Sequence, residues 1–104
     1  MRSRVLRISL AAALLAAAAT AQTQQSGQDL AAFIKASYTK YEFRIPARDG
    51  ARLFTSVYVP KDDSEKWPIL LLRTPYSVAP YGAGNYRASL GPSERFAREK
   101  FIFV

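Results

Sequence analysis

Two runs of the chain, Tyr41–Ile45 and Arg52–Val59, alternate with a period of two. Tyr41, Phe43 and Ile45 alternate with Glu42 and Arg44; Leu53, Thr55, Val57 and Val59 alternate with Arg52, Phe54, Ser56 and Tyr58. Successive strand side chains point to opposite faces, so the pattern predicts two strands. Arg48-Asp49-Gly50 between them is a turn signal, and Pro60 ends the second run. Together they read as an antiparallel hairpin. After the charged loop Lys61–Lys66 and Trp67-Pro68, the alternation gives way to four consecutive aliphatics, Ile69 to Leu72, closed by Thr74-Pro75. A run this short and this apolar predicts a strand buried on both faces, the kind found in parallel sheets covered by helices. Phe101-Ile102-Phe103-Val104 predicts a second buried strand.

Two segments carry helical spacing. Asp29 is placed to cap a short helix through about Tyr38, with Leu30, Phe33, Ile34 and Ser37 on one face. The glutamine-rich stretch Gln22–Gln28 before it reads as a flexible lead-in. Ser93 is placed as the N-cap of a second helix running to about Lys100, with Glu94 in its first turn and Phe96 and Ala97 facing inward. The order hairpin, buried strand, long loop, helix, buried strand defines an α/β fold. No turn, cap or polar tail follows Val104, so the chain is expected to be the truncated N-terminal part of a larger α/β domain.

Pro75–Pro92 has little helix or strand signal and carries Tyr76, Tyr81, Tyr86, Gly82, Gly84 and Gly91. Loops this long are functional or disordered, and the interleaved tyrosines argue for order. Ligands of open α/β sheets bind past the carboxyl ends of the strands. Tyr76 stands there, directly after the first buried strand. Pro75 fixes its own φ and biases Thr74 to an extended conformation, giving Tyr76 a stiff base.

Charge and composition narrow the function. Arg2, Arg4 and Arg7 precede the apolar stretch Ile8–Ala19, and Ala19-Thr20-Ala21 is an A-x-A cleavage site. This is the pattern of a secretory signal peptide over residues 1–21, and its apolar stretch is too short for a stable membrane anchor. The product is expected to be exported, periplasmic or secreted. Cleavage after Ala21 leaves 83 of the 104 residues, divided into a lead-in with short helix at 22–39 and an α/β segment at 40–104. Loss of three arginines from 15 basic side chains leaves 12 against 8 acidic ones, a net +4 in place of +7. The remaining basic residues form no block, which argues against a nucleic-acid partner. There is no cysteine and no histidine. Zinc sites built on those residues are excluded, and a Ser-His-Asp triad cannot be assembled from this chain alone.

The remaining motifs have structural readings. Gly91-Pro92-Ser93-Glu94-Arg95 fails the G-x-S-x-G nucleophile elbow at Arg95, so Ser93 is read as a helix cap. Gly82 to Arg87 fails the dinucleotide fingerprint at Arg87. Asp49 before Gly50 is turn chemistry. Arg73 either orients substrate or pairs with a carboxylate elsewhere. Tyr81 and Tyr86 either line a pocket or pin the loop to the core.

Arg44-Ile45-Pro46-Ala47-Arg48-Asp49-Gly50-Ala51-Arg52-Leu53, Val57-Tyr58-Val59-Pro60 and Pro68-Ile69-Leu70-Leu71-Leu72-Arg73-Thr74-Pro75-Tyr76 together resemble a family of serine hydrolases. That family includes cocaine esterase, α-amino acid ester hydrolases, cephalosporin acylases and X-prolyl dipeptidyl aminopeptidases. The resemblance covers about Tyr38 to Val104. It implies an α/β-hydrolase fold, hydrolysis of small-molecule esters or amides or of X-Pro peptides through an acyl-enzyme, and no cofactor. It also implies that the hydroxyl of Tyr76 serves the oxyanion hole, with serine, aspartate and histidine of the triad beyond Val104. Without them the chain is expected to be inactive. A reading from a different class is a small secreted β-rich binding module that uses loop 75–92 as its contact surface.

Overall fold

The computed structural model describes residues 22–104, and the signal peptide expected over residues 1–21 lies outside the described residues. Helix α1 occupies described residues 22–37. It is followed by strands β1 (Tyr38–Pro46), β2 (Arg52–Pro60) and β3 (Ile69–Leu70), helix α2 (Glu94–Arg98) and strand β4 (Ile102–Phe103). This is a small mixed α/β arrangement, with a four-stranded sheet in the order β1-β2-β4-β3.

The expected antiparallel hairpin forms, with residues 47–51 as its loop. β1 and β2 pair antiparallel from Tyr38 opposite Pro60 to Pro46 opposite Arg52. Its turn is closed by Ala47 N donating to Ala51 O at 2.7 Å and Gly50 N donating to Ala47 O at 3.0 Å. Asp49 Oδ1 accepts from Ala51 N at 3.0 Å, and Gly50 has φ 88, a conformation open to glycine at little cost. The alternation yields two faces, and tertiary packing covers the less apolar one. Tyr41, Phe43, Ile45 and Leu53 are each 43–49% exposed, whereas Tyr38, Lys40 and Tyr58 are buried.

The core explains that choice. Ile34 of α1, Tyr38 of β1, Tyr58 of β2, Leu90, Ala97 of α2 and Phe103 of β4 cluster, with Leu30, Phe33, Phe96 and Phe101 packed around them. Both helices therefore lie against the Tyr38–Tyr58 face. Leu30, Phe33 and Ile34 do share the inward face of α1. Gln22–Gln28, expected as a flexible lead-in, is helical, and Asp29 lies inside the helix instead of capping it. Glutamine is a good helix former, and continuing α1 backward conflicts with no packing.

β3 departs most from expectation. The run Ile69–Leu72 contributes two strand residues at the sheet edge, not a strand buried on both faces. Ile69, Leu71 and Leu72 are 65%, 61% and 67% exposed. Only β4 flanks β3 among the described residues, and an apolar run signals a demand for covering surface without supplying it. The β3–β4 pairing is parallel, with Ile102 N donating to Pro68 O, Val104 N to Leu70 O and Leu72 N to Val104 O at 2.8–3.0 Å. β4 is the better-covered strand, with Phe103 buried between β2 and β3.

A polar clamp ties the turn before β4 to the loop before β3. Lys100, at φ 63, places its ammonium 2.5 Å from Asp62 Oδ2 and 5.3 Å from the ring centre of Trp67. Trp67 Nε1 donates to Asp62 O at 2.7 Å. The hydrogen bond from Lys100, with others from Ser64, holds the Asp62 carboxyl well below the usual carboxylate range.

The buried phenol of Tyr38 gives the fold a measurable pH dependence. Its hydroxyl donates to Ala97 O at 2.8 Å, and burial pushes its pKa up to about 12. The folded value lies above the unfolded one of about 10, so this contribution is complete below pH 10 and disappears as pH rises toward 12. Stability is expected to fall by about 2–3 kcal/mol across that interval. Urea titrations of Tyr38→Phe should show that the variant lacks this step. At neutral pH it should lose about 1 kcal/mol for the missing hydrogen bond, because Ala97 O keeps a bond from Lys100 N.

Candidate functional site

An open cleft of about 880 Å³ lies along β2 and the carboxyl end of β3. Phe54, Ser56 and Tyr58 form one wall, Leu70 to Thr74 a second, and Tyr76, Val78 and Tyr81 the rim. Arg52, Arg73 and Arg87 line it and no Asp or Glu side chain does, so its side chains make it electropositive. Ser56 Oγ is buried at this wall without a hydrogen-bond partner among the described residues.

Local sequence positions Tyr76. Thr74 Oγ1 accepts a hydrogen bond from Tyr76 N at 3.1 Å, a side-chain turn that reinforces the fixed φ of Pro75. The ring is 84% exposed. Its hydroxyl has no partner among the described residues and so remains available as a donor. The next residue is tied down separately. Ser77 Oγ accepts from Ala79 N at 3.1 Å and lies 3.2 Å from Tyr81 Oη.

The rest of loop 75–92 is held from beneath. The Tyr81 ring meets Phe54 edge to face at 5.2 Å. Tyr86 meets Tyr58 edge to face at 6.0 Å, and its hydroxyl accepts from Lys40 N at 3.2 Å. Tyr58 Oη accepts from Arg87 N at 3.2 Å. Tyr81 thus both lines the cleft and pins the loop, while Tyr86 pins it. Tyrosine hydroxyls on backbone amides and tyrosine edges on aromatic rings thus contribute to order in this segment.

Of the other singled-out residues, Asp49, Ser93, Gly82 and Gly84 stand apart from the cleft, while Arg73 and Arg87 line it. Asp49 closes the hairpin turn. Ser93 sits at the N-cap of α2 in extended geometry, φ −152 and ψ 161, but makes no side-chain capping bond. Gly82–Arg87 opens no helix. Arg73 lies at the cleft and pairs with no carboxylate among the described residues. No group of three or more His, Cys, Asp or Glu side chains able to hold a metal occurs among the described residues. Sequence reasoning missed Lys40 and Glu42, which share the inward face of β1 with Tyr38. The available signal was their i, i+2 spacing, which places all three on one side of the strand.

Residues 49–104, more than half of the chain, match the family X-Pro dipeptidyl-peptidase (S15 family). No curated protein and no solved structure matches the chain.

Proposed function

Because the chain belongs to the X-Pro dipeptidyl-peptidase (S15) family, we propose that it forms part of the catalytic domain of an exported serine hydrolase with an α/β-hydrolase fold. Tyr76 is the oxyanion donor in this reading. The observation that carries it is the family match itself, which spans both the Asp49-Gly50 turn and Arg73-Thr74-Pro75-Tyr76. The order hairpin, strand, loop, helix, strand supports the fold, and a free phenol at the mouth of an electropositive cleft supports the site. The basic residues, apolar stretch and A-x-A motif of residues 1–21 support export.

In the proposed reaction a serine hydroxyl attacks the scissile carbonyl of a peptide, and the carbonyl oxygen becomes negative in a tetrahedral intermediate. Tyr76 donates its O–H to that oxygen as the charge develops. Collapse expels the amine and leaves an acyl-enzyme, which water hydrolyses. The serine needs a histidine base, and these 104 residues contain none. The nucleophile, aspartate and histidine therefore come from sequence outside them. The same chemistry serves esters and amides, and the X-Pro peptide class follows from the family.

Active-site-directed labelling tests this reading. A fluorophosphonate probe should leave the 104-residue chain unlabelled. It should label stoichiometrically a complete enzyme that contains this segment, which should also release dipeptides from X-Pro-p-nitroanilide substrates. Stoichiometric labelling of the 104-residue chain, or an unreactive complete enzyme, contradicts the proposal.

A further inference from the structure

Lys40 is a lysine with no solvent-exposed side chain, which demands compensation. Its ammonium meets Pro80 O at 2.5 Å, Asn85 O at 2.8 Å, Gly82 O at 3.0 Å and Glu42 Oε1 at 3.1 Å. The ring of Tyr58 lies 5.8 Å away. Three of the four oxygens are backbone carbonyls from a single turn, residues 80–85. Asn85 N closes that turn by donating to Gly82 O at 3.0 Å. Gly82 has φ 100, a left-handed conformation that strains any residue but glycine, so the tight curl favours glycine there. Glu42 Oε1 also accepts from Gly82 N at 2.6 Å. One Lys-Glu pair on β1 thus grips the turn by both its carbonyls and an amide.

Three carbonyl dipoles converging on one point repel each other unless a cation sits between them. Backbone oxygens arranged this way replace the hydration shell of a small cation. We propose that turn 80–85 is a cation cage whose resident cation is the tethered ammonium of Lys40, and that this charge, not the packing of the lysine stem, sets the conformation of loop 76–87. When the lysine is shortened, the cage should accept a free alkylammonium ion of the missing length. The consequence for catalysis rests on the function proposed above, because the ordered loop carries Tyr81 against Ser77 beside Tyr76. The cage itself does not depend on that reading.

Hydrogen exchange of the full chain, read by mass spectrometry over residues 76–87 without substrate, tests the cage separately from any activity. Lys40→Ala removes a propylamine's worth of side chain. Exchange in loop 76–87 should accelerate about tenfold or more, in line with the loss of several charge-assisted hydrogen bonds. Propylammonium chloride should restore protection, and sodium chloride at equal ionic strength should not. Lys40→Met keeps the stem without the charge. It should lose the same protection and gain nothing from propylammonium, because the space is filled. Wild-type protection in Lys40→Met overturns the proposal. So does failure of propylammonium to restore Lys40→Ala, whether that variant opens only at the loop or unfolds throughout. Intact loop protection alongside full turnover in Tyr76→Phe would instead count against the oxyanion reading and leave the cage standing.

Discussion

Replacing Tyr76 by phenylalanine in a complete hydrolase containing this segment is expected to lower turnover about 10²–10³-fold with little change in substrate affinity. The substitution removes one hydroxyl and almost no volume. The Tyr76 side chain is 84% exposed and its hydroxyl is unpaired among the described residues, so no core packing or internal hydrogen bond is lost with it. A donor that meets the oxygen only as it becomes charged acts on the transition state and not on the bound substrate, so the loss falls on kcat. Tyr76→Ala removes the ring as well and should disturb substrate binding too. Comparing kcat and KM of both variants on one substrate separates donor from spacer. Near-normal turnover in the phenylalanine variant would make Tyr76 a rim aromatic and leave the proposed oxyanion site without its donor.

Truncating Phe103 to alanine should destabilise the chain by about 3–5 kcal/mol, the range for buried phenylalanine. Phe103 is buried to 7% exposure and belongs to the strand that joins the hairpin to β3. Its ring lies 5.9 Å from that of Tyr38 and 6.5 Å from that of Phe101. β4 pairs with β2 through Tyr58 opposite Phe103 and with β3 through Leu70 opposite Phe103. Loss of the ring therefore loosens both pairings and the cover of α2 at once. Small domains are stable by about 5–15 kcal/mol in total, so the variant should be largely unfolded under mild denaturant. Urea titration followed by tryptophan fluorescence measures it. The edge residue Leu71, 61% exposed, provides the contrast. Leu71→Ala should cost under about 1 kcal/mol, since little buried area is removed.

Features that depend on near neighbours were readable from the residues alone. Period-two spacing and Asp49-Gly50 specified an antiparallel hairpin, because two alternating runs joined by a short turn fold back on each other. Leu30, Phe33 and Ile34 specified the inward face of α1. Pro75 specified a stiff approach to Tyr76 by fixing its own φ and extending Thr74. Residue types that were missing were equally informative, since a chain without histidine holds no Ser-His-Asp base. The family too was legible, in the combination of turn and Arg-Thr-Pro-Tyr motif.

Tertiary structure decided which surfaces are covered. Alternation in β1 and β2 distinguishes two faces but carries no information on where α1, α2 and loop 75–92 pack, and they pack on the face of Tyr38, Lys40 and Tyr58. The apolar run Ile69–Leu72 states a preference for burial that neighbouring strands and helices must fulfil, and at the sheet edge they do not. Lys40 illustrates the same limit at its sharpest. A charged residue reads locally as solvent-facing, because burying an ammonium is costly. Three carbonyls from a turn 40–45 residues away reverse that balance, and oxygens brought together over such a distance are a property of the folded chain alone.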